Sequence, residues 1–308
     1  MKKLCILSAL AFILAACAGN KNILNEKMSK YPADKYITKI ASAQEKEAAK
    51  QAALKDLRTL FDSLPRTQES APRRESILAR AAAVQWWKDK PSGKYFAIAA
   101  LERAGAQQTM QPFYVPVDGK LAALMLRVNG GQDKFVRVKD AMQMQPLLTQ
   151  RAALDAEYRL LAFDSSAYDE EKLYAFRSAF NQAFYDIKIN CVLTGTDDDA
   201  VKTAIIDGLN GMGFAVGEDL PAYDMQLSIN TKVTKTSSKT TEGLYWADST
   251  ATVSLKDMRT GGIFATFSKF GRDGSGRPEE ARRRSMIAVG ADSVPVIKHK
   301  LLEYIERK

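Results

Sequence analysis

The chain has 308 residues, 46% of them apolar, 26% charged and 9% aromatic, the composition of a soluble globular protein. At roughly 100–200 residues per domain, this length predicts two domains. The formal net charge is +9, and no stretch after the first seventeen residues is apolar for the ~20 positions a membrane-spanning helix needs, which excludes a threaded membrane protein.

The first stretch reads MKKLCILSALAFILAAC. Lys2 and Lys3 form a basic start, and Leu4–Leu14 is an apolar run of 11 residues, too short to cross a bilayer. Small residues follow, Ala15 and Ala16, and then Cys17. This order predicts a secretory signal peptide over residues 1–16. Leu14-Ala15-Ala16-Cys17 resembles the lipobox of bacterial lipoproteins. The resemblance implies a diacylglycerol on the Cys17 sulfur, cleavage after Ala16 and acylation of the new amino group. The alternative is an ordinary signal peptide with an incidental cysteine. Two or three acyl chains at ~0.8 kcal/mol per methylene would hold the chain stably on a membrane. Ala18, in place of an aspartate, leans in the family's sorting pattern towards the periplasmic face of the outer membrane.

Cysteine usage agrees with this reading. Cys5 leaves with the leader and Cys17 becomes a thioether, so Cys191 is single and no intrachain disulfide forms. Its apolar neighbours Ile187, Ile189, Val192 and Leu193 predict a buried strand thiol. Without Lys2 and Lys3 the net charge is +7. Residues 18–165 hold 24 Lys/Arg against 16 Asp/Glu, and residues 166–308 hold 19 against 20. The basic first half suits anionic lipid or peptidoglycan carboxylates; a merely solvated surface is the plainer account.

Residues 17–33 are polar and predict a lipidated tether. Residues 34–104 predict a small α+β domain. Asp34–Ile40 reads as a strand. Ser42 with Glu45 reads as a capping box opening a helix to Phe61, with Ala49, Ala52, Ala53, Leu57, Leu60 and Phe61 on one face at helical spacing. Pro65 stops it. A second helix is expected from Pro72 into Trp86-Trp87, then a turn at Lys90–Gly93 and a strand over Lys94–Ala100. The paired tryptophans read as core anchors, or alternatively as a ligand platform. The alanine-rich helix and the run WWKDKPSGKYFAIAALER resemble the LPP-twenty lipoprotein family, with Trp87, Gly93, Tyr95, Ala97, Leu101 and Arg103 in the matching places. This covers about residues 31–104 and implies a fold, not a mechanism.

Residues 105–165 predict a helical hairpin or linker around Asn129-Gly130-Gly131, interrupted at Pro112–Pro116. Residues 166–308 predict an α+β sandwich. A helix opens at Asp169-Glu170-Glu171. Asp186–Leu193 alternates as a strand. A helix spans Val201–Met212, opened by Asp197–Asp199. Phe214–Val216 is a short strand, and a meander follows over Tyr223–Val233, Tyr245–Leu255 and Ile263–Phe270. A flexible Gly/Arg connection, Gly271–Pro278, leads to a closing helix broken or kinked at Pro295. The element order and the turn of Val253, Leu255, Asp257, Thr260 and Gly261 resemble the periplasmic α/β domain of Tol translocation and flagellar T-ring proteins.

No constellation for catalysis emerges. His299 is the only histidine, between Lys298 and Lys300 on the closing helix. One histidine and one remaining thiol make no zinc pattern. Gly271–Arg277 lacks the Gly-Lys-Ser/Thr end of a phosphate loop, and Asp197-Asp198-Asp199 lacks the ligand alternation of a calcium loop. The expectation is a non-enzymatic, lipid-anchored scaffold or assembly lipoprotein with no cofactor, no metal and no nucleic-acid partner. Its partners would be the membrane, through Cys17, and an envelope protein. The alternative is a module that binds peptidoglycan or a small ligand.

Overall fold

The computed structural model describes residues 21–131, 133–195, 199–237, 240 and 242–308. The fold is α+β, with strands in two open sheets. The chain forms two compact units: residues up to Lys120 with Pro146–Leu173, and Leu121–Gln145 with Tyr174–Lys308.

The first unit begins with helix α1 (Lys21–Met28), strand β1 (Tyr36–Ala43), helix α2 (Lys46–Asp62), helix α3 (Ser70–Leu78), strand β2 (Ala82–Lys88) and strand β3 (Tyr95–Glu102). The strands make an antiparallel sheet in the order β1-β3-β2. Helix α2 packs across all three. Its buried Ala49 and Ala53, and the buried Ala97, Ala99 and Ala100 of β3, have little side chain to hold helix and sheet apart. Two local expectations are corrected here. Ser42 lies inside β1, opposite Phe96, so no capping box forms, and Glu45 stands at the helix start without a side-chain cap. The helix expected from Pro72 to the tryptophans ends at Leu78. Residues 82–88 form strand β2, because pairing with β3 satisfies their backbone while aromatic side chains suit a pleated surface.

Helix α4 (Arg103–Asn129) runs through Pro112 and Pro116 without the expected interruption. Each proline forfeits one backbone bond, but buried Met110, Tyr114 and Val117 hold the helix in line. Gly131, at φ +72°, supplies the left-handed turn before helix α5 (Lys134–Leu161).

In the second unit, helix α6 (Glu170–Tyr185) leads to β4 (Lys188–Thr194), α7 (Asp199–Asn210) and β5 (Ala215–Gly217). Then come β6 (Met225–Thr236), β7 (Tyr245–Asp257), β8 (Ile263–Ser275) and α8 (Pro278–Glu306). The order is β5-β4-β6-β7-β8. Strand β4 is parallel to both neighbours and the meander is antiparallel. The alternation expected for β6 and β7 is observed, with Met225, Leu227, Ile229, Ala247, Ala251, Val253 and Leu255 buried. Helix α8 packs on β6, β7 and β8, and α7 packs on α8. Pro295 does not break α8. The Gly/Arg connection is largely strand: β8 continues to Ser275. A Cβ on Gly271 would lie 2.7 Å from Val289 Cβ and 2.9 Å from the Ser285 carbonyl oxygen, so glycine lets α8 sit directly on β8.

Candidate functional site

Cys17, the one residue singled out by sequence, lies outside the described residues, as do Asp197 and Asp198. The other reactive groups fall as follows. His299 is exposed on α8. Cys191 is buried on β4, and burial pushes its thiol up to about 11, which disfavours the nucleophilic thiolate. Among the described residues no three His, Cys, Asp or Glu side chains gather to hold a metal ion.

The first unit carries a buried ionic network that sequence patterning did not reveal. Glu157 of α5, fully buried, accepts from Arg73 Nε at 2.5 Å and from Arg74 Nε at 2.7 Å. Arg74 also donates to the Pro65 carbonyl at 2.6 Å. Nearly two turns earlier on α5, Arg151 pairs with Asp118 at 2.8 Å and with Asp155, and its guanidinium lies 4.2 Å from the Tyr114 ring centroid. Burial raises the Asp155 carboxyl above its ordinary range despite Arg151, and burial likewise raises the Tyr114 hydroxyl. Oδ2 of Asp155 is buried without a hydrogen-bond partner among the described residues. The carboxylates are matched by guanidinium groups inside the core, as buried charges require.

The second unit offers a cleft of about 1020 Å³ beside the short edge strand β5, at the upper end of small-ligand sites. One wall is a single face of α6: Tyr174, Arg177, Ser178, Asn181, Gln182 and Tyr185, spaced by three or four residues. The opposite face of that helix, with Leu173, Phe176, Ala183 and Phe184, is buried. Phe214, Val216 and Leu220 form the apolar side of the cleft. Tyr174 and Tyr185 are 74% and 61% exposed. Arg177 and Lys188 are the charged lining residues, and neither is in an ion pair among the described residues. Such a wall can stack on a ligand, hydrogen-bond it and attract negative charge. It presents no carboxylate for general acid–base chemistry. Its signal in the sequence is an aromatic–polar stripe on one helix face, which the acidic helix start does not distinguish from a solvated surface.

The tryptophans are not core anchors. They lie on β2, at the sheet edge, where side chains alternate between exposed and half-buried. Trp86 is 44% exposed, with Lys46 Nζ 3.9 Å from its ring centroid. Trp87 stacks on Phe96 at 5.4 Å.

No family model matches the chain, and no curated protein matches it by sequence. Solved structures do. A secreted protein of Helicobacter pylori is 16% identical, covering 87% of this chain and 98% of its own, at a TM-score of 0.36. A minor lipoprotein of Acinetobacter baumannii is 12% identical over 38% of this chain and 91% of its own, at 0.28. A lipoprotein of Neisseria meningitidis is 13% identical over 40% of this chain and 99% of its own, at 0.25.

Proposed function

We propose that this chain is a lipid-anchored lipoprotein of the bacterial envelope, held at the periplasmic face of the outer membrane. It acts without catalysis, as a scaffold or partner-binding module. The observation that carries this reading is the leader ending in Leu14-Ala15-Ala16-Cys17. The LPP-twenty resemblance of residues 31–104 points the same way. No helix among the described residues is long and apolar enough to cross a membrane, which fits attachment through lipid. Tethering would confine the two units to a thin layer and raise their effective concentration towards co-anchored partners. A partner would meet the α6 face and its cleft.

Cell fractionation of a Cys17→Ser form tests the anchor. The variant is expected to lose its lipid and leave the membrane fraction. Retention on the membrane with the leader uncleaved would make the apolar run the anchor and overturn the reading. One observation favours a second reading, a binding module for peptidoglycan or another anionic ligand: Arg177 and Lys188 line the cleft and have no ion-pair partner among the described residues. Sedimentation with purified peptidoglycan, reversed by salt, would bring that reading forward.

A further inference from the structure

We propose that the exposed edge of the first unit, strand β2 with the turn that follows it, lies against the bilayer surface as a second, non-covalent membrane contact. This rests on the lipid anchor at Cys17.

The surface has the chemistry of a headgroup layer. Val84, Trp86 and Lys88 are exposed at alternate positions of β2, so one strand presents apolar, aromatic and cationic groups together. Lys46 covers the Trp86 ring, and Lys88 Nζ lies 5.2 Å from the Tyr95 ring centroid. The turn adds exposed Lys90 and Lys94. The acids nearby are engaged or outnumbered: Asp89 accepts from the Ser92 backbone N–H at 3.0 Å and from its hydroxyl. Glu47 pairs with Lys50 at 2.8 Å, and Glu45 is exposed beside Lys46. Tryptophan with an apolar body and a polar N–H prefers the membrane–water boundary, and lysines there meet lipid phosphates.

The tether limits the distance. Lys27 of α1 lies 5.7 Å from the Trp87 ring centroid, and Cys17 is ten residues earlier. Even fully extended, ten residues reach at most about 35 Å. The part belonging to α1 rises only ~1.5 Å per residue, which shortens the reach to roughly 25 Å. A lipid on Cys17 therefore keeps the tryptophan edge within the tether's reach of the bilayer, close enough to touch the headgroup layer, and the edge carries the groups that such a layer binds.

The test uses the full lipidated chain in vesicles of phosphatidylethanolamine and phosphatidylglycerol, some with brominated acyl chains. Flotation reports the anchor, and quenching of tryptophan emission reports the edge. Quenching by bromine at shallow positions, with loss of the quenched component in Trp86→Phe, is the expected result. That variant keeps a ring beneath Lys46. In Lys88→Glu/Lys90→Glu/Lys94→Glu, quenching should fall while flotation persists. A chain that floats unquenched, or is quenched equally in Trp86→Phe, overturns the edge contact and leaves the anchor standing. A chain that neither floats nor is quenched overturns both. Quenching without a lipid on Cys17, read by mass spectrometry, supports the edge and removes the anchor.

Discussion

Glu157 sits between two guanidinium groups in a site without water access, and its charge is what makes Arg73 and Arg74 tolerable there. Removing one member of such a group leaves uncompensated buried charge, at a typical cost of ~3–5 kcal/mol. Glu157→Gln is therefore expected to lower the urea midpoint strongly, and a shift corresponding to less than about 1 kcal/mol would contradict the ionic account. Asp257, fully buried at the end of β7, obeys different electrostatics. Burial pushes its carboxyl up, but Tyr304 donating at 2.6 Å and Arg259 donating from its backbone N–H at 2.8 Å hold it below the usual range. A depressed folded-state pKa means that the unfolded chain takes up the proton first. The stabilisation is present above the unfolded value, ~3.9, and is lost as the pH falls through the folded one. Asp257→Asn should thus be less stable at neutral pH and show a shallower loss of stability below about pH 4, measured by urea unfolding at several pH values. The pairing of Glu157 with Arg73 and Arg74, and of Asp257 with Tyr304, was not legible in sequence, because each joins residues tens of positions apart; only the Arg259 contact to Asp257 is local.

Elements were legible to the degree that their periodicity was unambiguous. The meander strands follow their alternation closely, since a sheet with one face under a helix must place every second residue inside. The tryptophan segment suits a helix or a strand by sequence because short apolar runs carry both periods, and only pairing with β3 makes it a strand. Gly271–Ser275 resembles a loop by sequence, because three glycines within the six residues 271–276 look like punctuation, yet it continues β8. Contact with α8 gives the first of them a structural task. Gly271→Ala should destabilise by roughly 1–3 kcal/mol, the usual cost of overpacking. Gly262→Ala, whose added Cβ would meet only Thr260 Oγ1 at 3.5 Å, should change stability by no more than about 0.5 kcal/mol. Equal effects in thermal unfolding would remove the close-approach argument.

At the scale of the whole molecule, the proposed function divides the work between the leader, for attachment, and the folded units, for recognition. If Cys17 is acylated, its Ser form leaves the membrane fraction while the folded units keep their cooperative unfolding. Sequence by itself determined the α+β class, the meander, the helix pair around Asn129-Gly130-Gly131 and the candidacy of Cys17, since these depend on local periodicity, turn residues and a contiguous motif. Tertiary structure alone decided which distant charges meet in the core and which face of α6 lines a cleft. It also put the tryptophans at a sheet edge rather than in the interior, and joined Pro146–Leu173 to the unit begun before Lys120. The physical reason is common to all four. They follow from burial and pairing between residues far apart in the chain, and short-range pattern carries no record of which partner a side chain will find.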